Sequence, residues 1–161
     1  MGSKLFKRIG FCTDFSENAD QAFIVAGDLA INLQAPVVII HITVNFSLSP
    51  PVHAAYMPVE YDPKFIEEIT EAATESIREK YLEKLPRGTA AEVVVRSGYA
   101  ATEILKVVEE KEIDLLVMGS HGLTGLAHVL FGSTADRVVR RARCSVLTVR
   151  FNQQQAGQTL E

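Results

Sequence analysis

The apolar positions of this chain change period along its length, and the changes mark out alternating strands and helices. Ile9-Gly10-Phe11-Cys12 closes a first short apolar run, read as the end of a strand. Beyond it Ala19, Ala22, Phe23, Ala26, Leu29, Ala30 and Leu33 recur mostly three or four apart, the spacing of one helical face. Ser16 stands where a capping side chain is needed, and Pro36 stops the helix. Val37–Val44 is continuous and β-branched, as in a strand buried on both faces. The stretch from Asn45 to Tyr61 has no period and carries Pro50, Pro51 and Pro58. Irregular segments of that length are uncommon, and this one reads either as a lid over a ligand or as a tolerated surface insertion.

Asp62-Pro63 is a helix start, cap followed by proline in the first turn. The helix is expected to reach about Leu85, with Phe65, Ile69, Ala72, Ala73, Ile77, Tyr81 and Leu82 on its buried side and its Glu and Lys residues in water. Then follow a strand over Glu92–Arg96, a break at Gly98, a helix over Ala101–Glu110 and a strand over Asp114–Met118. A last helix over Ser133–Ala142 and a last strand over Ser145–Arg150 complete the pattern. Five strands alternating with four helices predict a three-layer α/β/α sandwich around a mainly parallel sheet. The chain has 161 residues, read as one domain over residues 1–151 and a polar, Gln-rich tail over 152–161.

Composition refines this picture only slightly. With 47% apolar and 22% charged residues it is that of a soluble globular domain. A net charge of −4 argues against nonspecific binding to nucleic acid or to an anionic membrane. No apolar run approaches the ~20 residues of a membrane span, and no secretory pattern opens the chain, so a cytoplasmic location is expected. Met1-Gly2 resembles an acylation signal, but Phe6 stands where Ser or Thr is required. Cys12 and Cys144 read as buried thiols at opposite ends of the sheet, roughly 15 Å apart at strand rise and beyond disulfide reach.

Candidate chemistry is concentrated at two strand ends. The run Gly119-Ser120-His121-Gly122-Leu123-Thr124-Gly125, continued by Phe131-Gly132-Ser133-Thr134, follows the fourth strand and leads into the last helix. Glycines let backbone amides approach a ligand, and a helix starting at Ser133 directs its free N–H groups and positive dipole end to the same place. These are the elements of a phosphate cradle. Thr13-Asp14-Phe15-Ser16 follows the first strand, and Asp14 either accepts hydrogen bonds from ribose hydroxyls or caps the first helix. The cradle is neither a Walker A loop, since no lysine follows Gly132, nor a dinucleotide loop. Phosphates would rest on amides and on the Ser133 and Thr134 hydroxyls, with a divalent cation, Mg2+ or Mn2+, supplying the missing positive charge.

The spacing Gly119, two residues, Gly122, nine residues, Gly132, Ser133 resembles the motif of nucleotide-binding universal stress proteins. The resemblance covers the whole domain: Thr13-Asp14-Phe15-Ser16, His41-Ile42, Met118 to Gly122, and Cys144-Ser145-Val146-Leu147. Departures are Cys12 and Ser145, at positions where many members carry proline. The resemblance implies strand order 3-2-1-4-5, as in the adenine nucleotide alpha hydrolase-like fold. It implies Asp14 at the ribose, Thr13 and Ile42 at adenine, Met118 and Gly119 at the border of the site, and Gly122, Gly132, Ser133 and Thr134 at the phosphates. It also implies a homodimer through the last strand, Val146, Leu147, Thr148 and Val149, which would otherwise be an apolar sheet edge.

The leading functional expectation is an ATP-binding protein of stress response or signalling with little or no turnover, because neither a lysine nor a general base faces the terminal phosphate. The alternatives are a slow ATPase or self-phosphorylating protein, with Ser133, Thr134 or Ser120 as acceptor, and a dimeric module binding AMP or another adenylylated ligand. The four histidines suggest no metal site. His121 and His128 lack ligand spacing, His41 reads as a hydrogen-bonded core or rim residue, and His53 has no evident partner. Ser120 and His121 are adjacent and not expected to pair as nucleophile and base, and a Ser133/His121/Asp14 triad lacks the strained elbow of the hydrolases. Of Arg137, Arg140, Arg141 and Arg143 on the last helix, only Arg137 lies near enough to its start to approach a phosphate.

Overall fold

The computed structural model describes residues 5–44, 63–121 and 132–150. Its five strands are β1 (Ile9–Thr13), β2 (Val37–Val44), β3 (Ala91–Gly98), β4 (Leu115–Gly119) and β5 (Ser145–Val149), ordered β3-β2-β1-β4-β5. All four pairings are parallel, so the sheet is wholly rather than mainly parallel. The helices among the described residues are α1 (Glu17–Leu33), α2 (Pro63–Lys80), α3 (Ala100–Glu110) and α4 (Ser133–Arg141), with a 3-10 turn over Leu82–Lys84.

Side chains alternate across a strand, and both faces here are apolar. Ile9, Phe11, Val37, Ile39, Leu115 and Val117 share one layer with Ala22, Ala26 and Ala30 of α1 and with Ile77 and Tyr81. Cys12, Val38, Ile40, Ile42, Leu116 and Met118 share the opposite layer with Ile104, Val107 and Val108 of α3 and Ala135 and Val138 of α4. The result is the three-layer sandwich. Alanine at three successive turns of α1 leaves nothing beyond Cβ between helix and sheet, so α1 lies close to β1 and β4. Ser16 caps α1, its Oγ accepting the Ala19 N–H at 3.2 Å.

Three sequence expectations change. The second helix ends at Lys80 and continues as the 3-10 turn instead of running to Leu85. Of its expected buried side, Ala73, Ile77 and Tyr81 are buried, whereas Phe65 (46%), Ile69 (36%) and Ala72 are exposed. The helix lies over the β2–β3 edge of the sheet, and its buried positions begin only at Ala73. Finally, Cys12 is buried but Cys144 only half-buried; both are free, and both belong to the layer beneath α3 and α4. Burial pushes the Cys12 thiol pKa up, which keeps it neutral and poorly nucleophilic. Asp62 and the segment 45–61, the candidate lid or insertion, lie outside the described residues, as do His53, His128 and the tail. Among the described residues no helix is long and apolar enough to cross a membrane.

Candidate functional site

The strand order reverses between β1 and β4, and in open parallel sheets a crevice forms there, beyond the strands' carboxyl ends. A cleft of about 320 Å³ occupies that position. Thr13, Asp14, Ile42, Met118, Gly119, Gly132, Ser133 and Thr134 all line it. Gly122, the remaining expected site residue, lies outside the described residues.

The Asp14 side of the cleft is built by a strained turn. Phe15 adopts φ 63°, the left-handed region that a bulky residue avoids at a cost of about 1–3 kcal/mol. The surroundings hold it there. Thr13 Oγ1 accepts the Phe15 N–H at 3.0 Å and donates to the Tyr81 hydroxyl at 2.9 Å. Tyr81 donates in turn to Asp20 Oδ1 at 2.7 Å. Lys80 Nζ pairs with Asp20 at 2.8 Å and donates to the Phe15 carbonyl at 3.2 Å. On the other side His41 Nδ1–H donates to the Thr13 carbonyl at 2.8 Å, and its ring packs on Phe15 with centroids 4.6 Å apart. His41 is thus hydrogen-bonded, as expected from sequence, and partly buried. Burial pushes the Tyr81 phenol pKa up, with the neighbouring Asp20 adding to the effect.

Asp14 itself accepts the Ser16 N–H at 3.1 Å. Capping of α1 therefore belongs to Ser16, and the Asp14 carboxylate is directed to the cleft by its own turn. Gly119 has a reason the sequence did not suggest. A Cβ there would stand 2.9 Å from Asn18 Cβ and 3.0 Å from the Asn18 carbonyl carbon. Glycine is required by the close approach of the first turn of α1, quite apart from any ligand.

The far wall is the start of α4. Gly132 N–H donates to the Ser120 carbonyl, and Ser120 N–H to the Val149 carbonyl, both at 2.8 Å. These bonds pin both ends of the glycine-rich segment to the sheet. Gly132 is the N-cap residue of α4, which has no side-chain cap hydrogen bond. With Gly132, Ser133, Thr134 and Ala135 all at the cleft, the first-turn amides and the positive end of the helix dipole are presented to it.

Other lining residues were missed. Ile40, Ala100 and Ile104 extend the apolar floor. Ile40 shares a strand face with Ile42, a two-residue spacing that could have identified it. Ala100 and Ile104 come from α3, and nothing local in the sequence placed that helix here. Ser120 and His121 also line the cleft, and they do pair: Ser120 Oγ lies 3.0 Å from His121 Nδ1. The chain bends as it leaves β4, and at that bend the two neighbouring side chains come within hydrogen-bond distance. Among the described residues no three His, Cys, Asp or Glu side chains gather to hold a metal ion. Among the described residues no lysine lines the cleft. Arg140 is paired with Asp136 at 2.9 Å and Arg143 with Glu109 at 3.7 Å, while Arg137 stacks over the Tyr99 ring, 4.9 Å from its centroid.

The strand order and a cleft at its reversal define a doubly wound, Rossmann-like α/β domain. The chain matches the universal stress protein family over residues 5–150. It is 33% identical over 150 residues to universal stress protein MJ0531 of Methanocaldococcus jannaschii, covering 92% of this chain and 85% of that protein. The solved structure of MJ0577, a universal stress protein from the same organism, superposes with a TM-score of 0.75 at 24% identity, covering 92% of this chain and 99% of that one. A universal stress protein solved in complex with cAMP superposes with a TM-score of 0.58 at 23% identity, covering 90% and 97%. The chain belongs to the universal stress protein family.

Proposed function

We propose that this protein binds an adenine mononucleotide, ATP in its full form, and acts in stress response or signalling through the bound state with little or no turnover. The observation that carries the reading is the meeting, in one cleft, of an apolar floor, a carboxylate and a helix start without a side-chain cap. In this reading adenine lies on Ile40, Ile42, Met118, Ala100 and Ile104, near Thr13. Asp14 accepts from the ribose hydroxyls, and Gly119 borders the sugar. The phosphates rest on the amides of Gly132, Ser133 and Thr134 and on the two hydroxyls, with Gly122 completing the cradle. Mg2+ or Mn2+ accompanies the phosphates, held by their oxygens more than by side chains. A family relative solved with cAMP is consistent with an adenine nucleotide here. Efficient turnover is not part of the reading, because among the described residues no lysine lines the cleft to stabilise charge developing on a transferring phosphoryl group. The protein works in the cytoplasm as a homodimer paired through Val146, Leu147, Thr148 and Val149; β5 is a sheet edge, and Leu147 on it is 38% exposed.

Titration calorimetry with ATP, AMP and GTP tests the binding reading. Adenine nucleotides are expected to bind and GTP to bind more weakly. Asp14→Ala is expected to weaken adenine nucleotides about tenfold, the loss of hydrogen bonds to a charged acceptor. Absence of any adenine nucleotide binding at millimolar concentration would refute it.

The 3.0 Å contact between Ser120 Oγ and His121 Nδ1 favours a second reading, slow self-phosphorylation. Ser120 Oγ attacks the terminal phosphorus, its proton passes to His121, the bond to the β-phosphate oxygen breaks, and ADP leaves. Incubation with ATP is then expected to place phosphate on Ser120 in step with ADP release, and Ser120→Ala to abolish it. Mass spectrometry finding Ser120 unmodified after hours with ATP removes this reading and leaves the binding one intact.

A further inference from the structure

We infer that Arg137 is the cation of the cleft, a residue that engages the terminal phosphates and thereby selects ATP over AMP. The inference rests on the nucleotide reading above and adds to it a residue outside the glycine motif.

Four observations carry it. First, three of the basic residues near Arg137 are engaged elsewhere, Arg140 with Asp136, Arg143 with Glu109 and Lys106 with Glu103, and Arg141 stands a further turn from the cleft at the end of α4. Arg137 makes no ion pair with any described carboxylate; its guanidinium is held over the Tyr99 ring at 4.9 Å. A cation on an aromatic face keeps its in-plane N–H donors available, whereas a carboxylate would occupy them. Second, Arg137 lies one turn beyond Ser133 and Thr134, both at the cleft. Residues three and four apart share a helical face, and helical side chains lean toward the amino terminus, here toward the cradle. Third, Tyr99 directly precedes Ala100, which lines the cleft from the α3 side, so the stack joins the start of α3 to the second turn of α4. Fourth, among the described residues the lining carries Asp14 but neither lysine nor arginine, so none of them gives a polyphosphate there a fixed positive partner. Guanidinium groups suit that role, since their planar fork matches two phosphate oxygens. A mononucleotide with a single phosphate, seated on the first-turn amides, would leave Arg137 on its tyrosine; a longer phosphate chain extends toward it.

The test is calorimetry of the full chain with AMP, ADP and ATP at fixed free Mg2+, for wild type, Arg137→Gln and Tyr99→Leu. Arg137→Gln is expected to weaken ATP about five- to tenfold while leaving AMP within about twofold. It should also flatten the dependence of ATP affinity on salt concentration. Tyr99→Leu keeps bulk at the seam but frees the arginine, and is expected to lower the ATP-to-AMP affinity ratio by a smaller factor. An unchanged ratio in Arg137→Gln, with or without a change in melting temperature, makes the stack a strut between α3 and α4 and overturns the assignment. Failure of wild type to bind any of the three nucleotides refutes the nucleotide reading itself, and the Arg137 assignment with it.

Discussion

Replacing Tyr81 with alanine is expected to destabilise the folded protein by about 3–5 kcal/mol, as for a fully buried aromatic ring. Tyr81 is 1% exposed and sits at the centre of an aromatic cluster. Its ring meets Phe11 edge-on at 5.2 Å, Phe23 at 5.0 Å and Phe15 in a stacked arrangement at 6.2 Å. The hydroxyl has a separate part. It accepts from Thr13 and donates to Asp20, so Tyr81→Phe keeps the ring but leaves a buried hydroxyl without its acceptor and a carboxylate without its donor. That change is expected to cost about 1–3 kcal/mol. Urea denaturation of the three proteins separates the two contributions, and a phenylalanine variant as stable as wild type would remove the hydrogen-bonded chain from the account. The pH dependence gives an independent check. Burial raises the folded-state phenol pKa above its ordinary value of 10.0, so the contribution is complete below that pH and is lost as pH rises beyond it. Tyr81→Phe should therefore show a shallower loss of stability on the alkaline side than wild type.

The same residue explains why part of the site was legible in sequence and part was not. The fold follows from local patterns. The run Val37–Val44 forms a strand over the same residues, Ser16 is the cap it was read to be, and the alternation of elements fixes a parallel sheet. The ends of β1 and β4 could be nominated because short polar and glycine-rich stretches follow apolar strands. What supports those ends comes from far along the chain. Tyr81 reaches Thr13 across 68 positions, and in the sequence it is only one more apolar residue on a helix. Ala100 and Ile104 reach the cleft because α3 packs on one face of the sheet, which local spacing does not encode. Phe65 and Ile69 were misassigned for the complementary reason: periodicity gives the apolar side of a helix but not how far a sheet extends beneath it. The Ser120–His121 contact depends on the direction the chain takes on leaving β4, a backbone property that residue identities alone do not specify.

Gly119 yields the second large effect, and it separates two reasons for conserving space at the cleft. Gly119→Ala is expected to cost about 1–3 kcal/mol, with valine at or beyond the upper end, because the added atoms enter a packed region. The first obstacle is Asn18 Cβ at 2.9 Å, and behind it stand the Asn18 carbonyl carbon at 3.0 Å and the Ala19 nitrogen at 3.2 Å. These belong to the first turn of α1 and cannot swing aside as a side-chain end can. Gly10 is the natural comparison. A Cβ there would meet Leu116 Cδ1 at 2.8 Å and Ile113 Cδ1 at 2.9 Å, the ends of flexible side chains, so Gly10→Ala is expected to cost less despite the shorter contact. Relief of the Gly119 clash requires α1 to lift from the end of β4. Asn18 is only two residues past Ser16, whose N–H holds the Asp14 carboxylate, so the lift also displaces Asp14. Gly119→Ala should therefore lose nucleotide affinity together with stability, whereas Gly10→Ala should lose stability alone. If both variants bind ATP as wild type does, α1 does not transmit the strain, and the close approach of helix and strand at Gly119 serves packing without setting the geometry of Asp14.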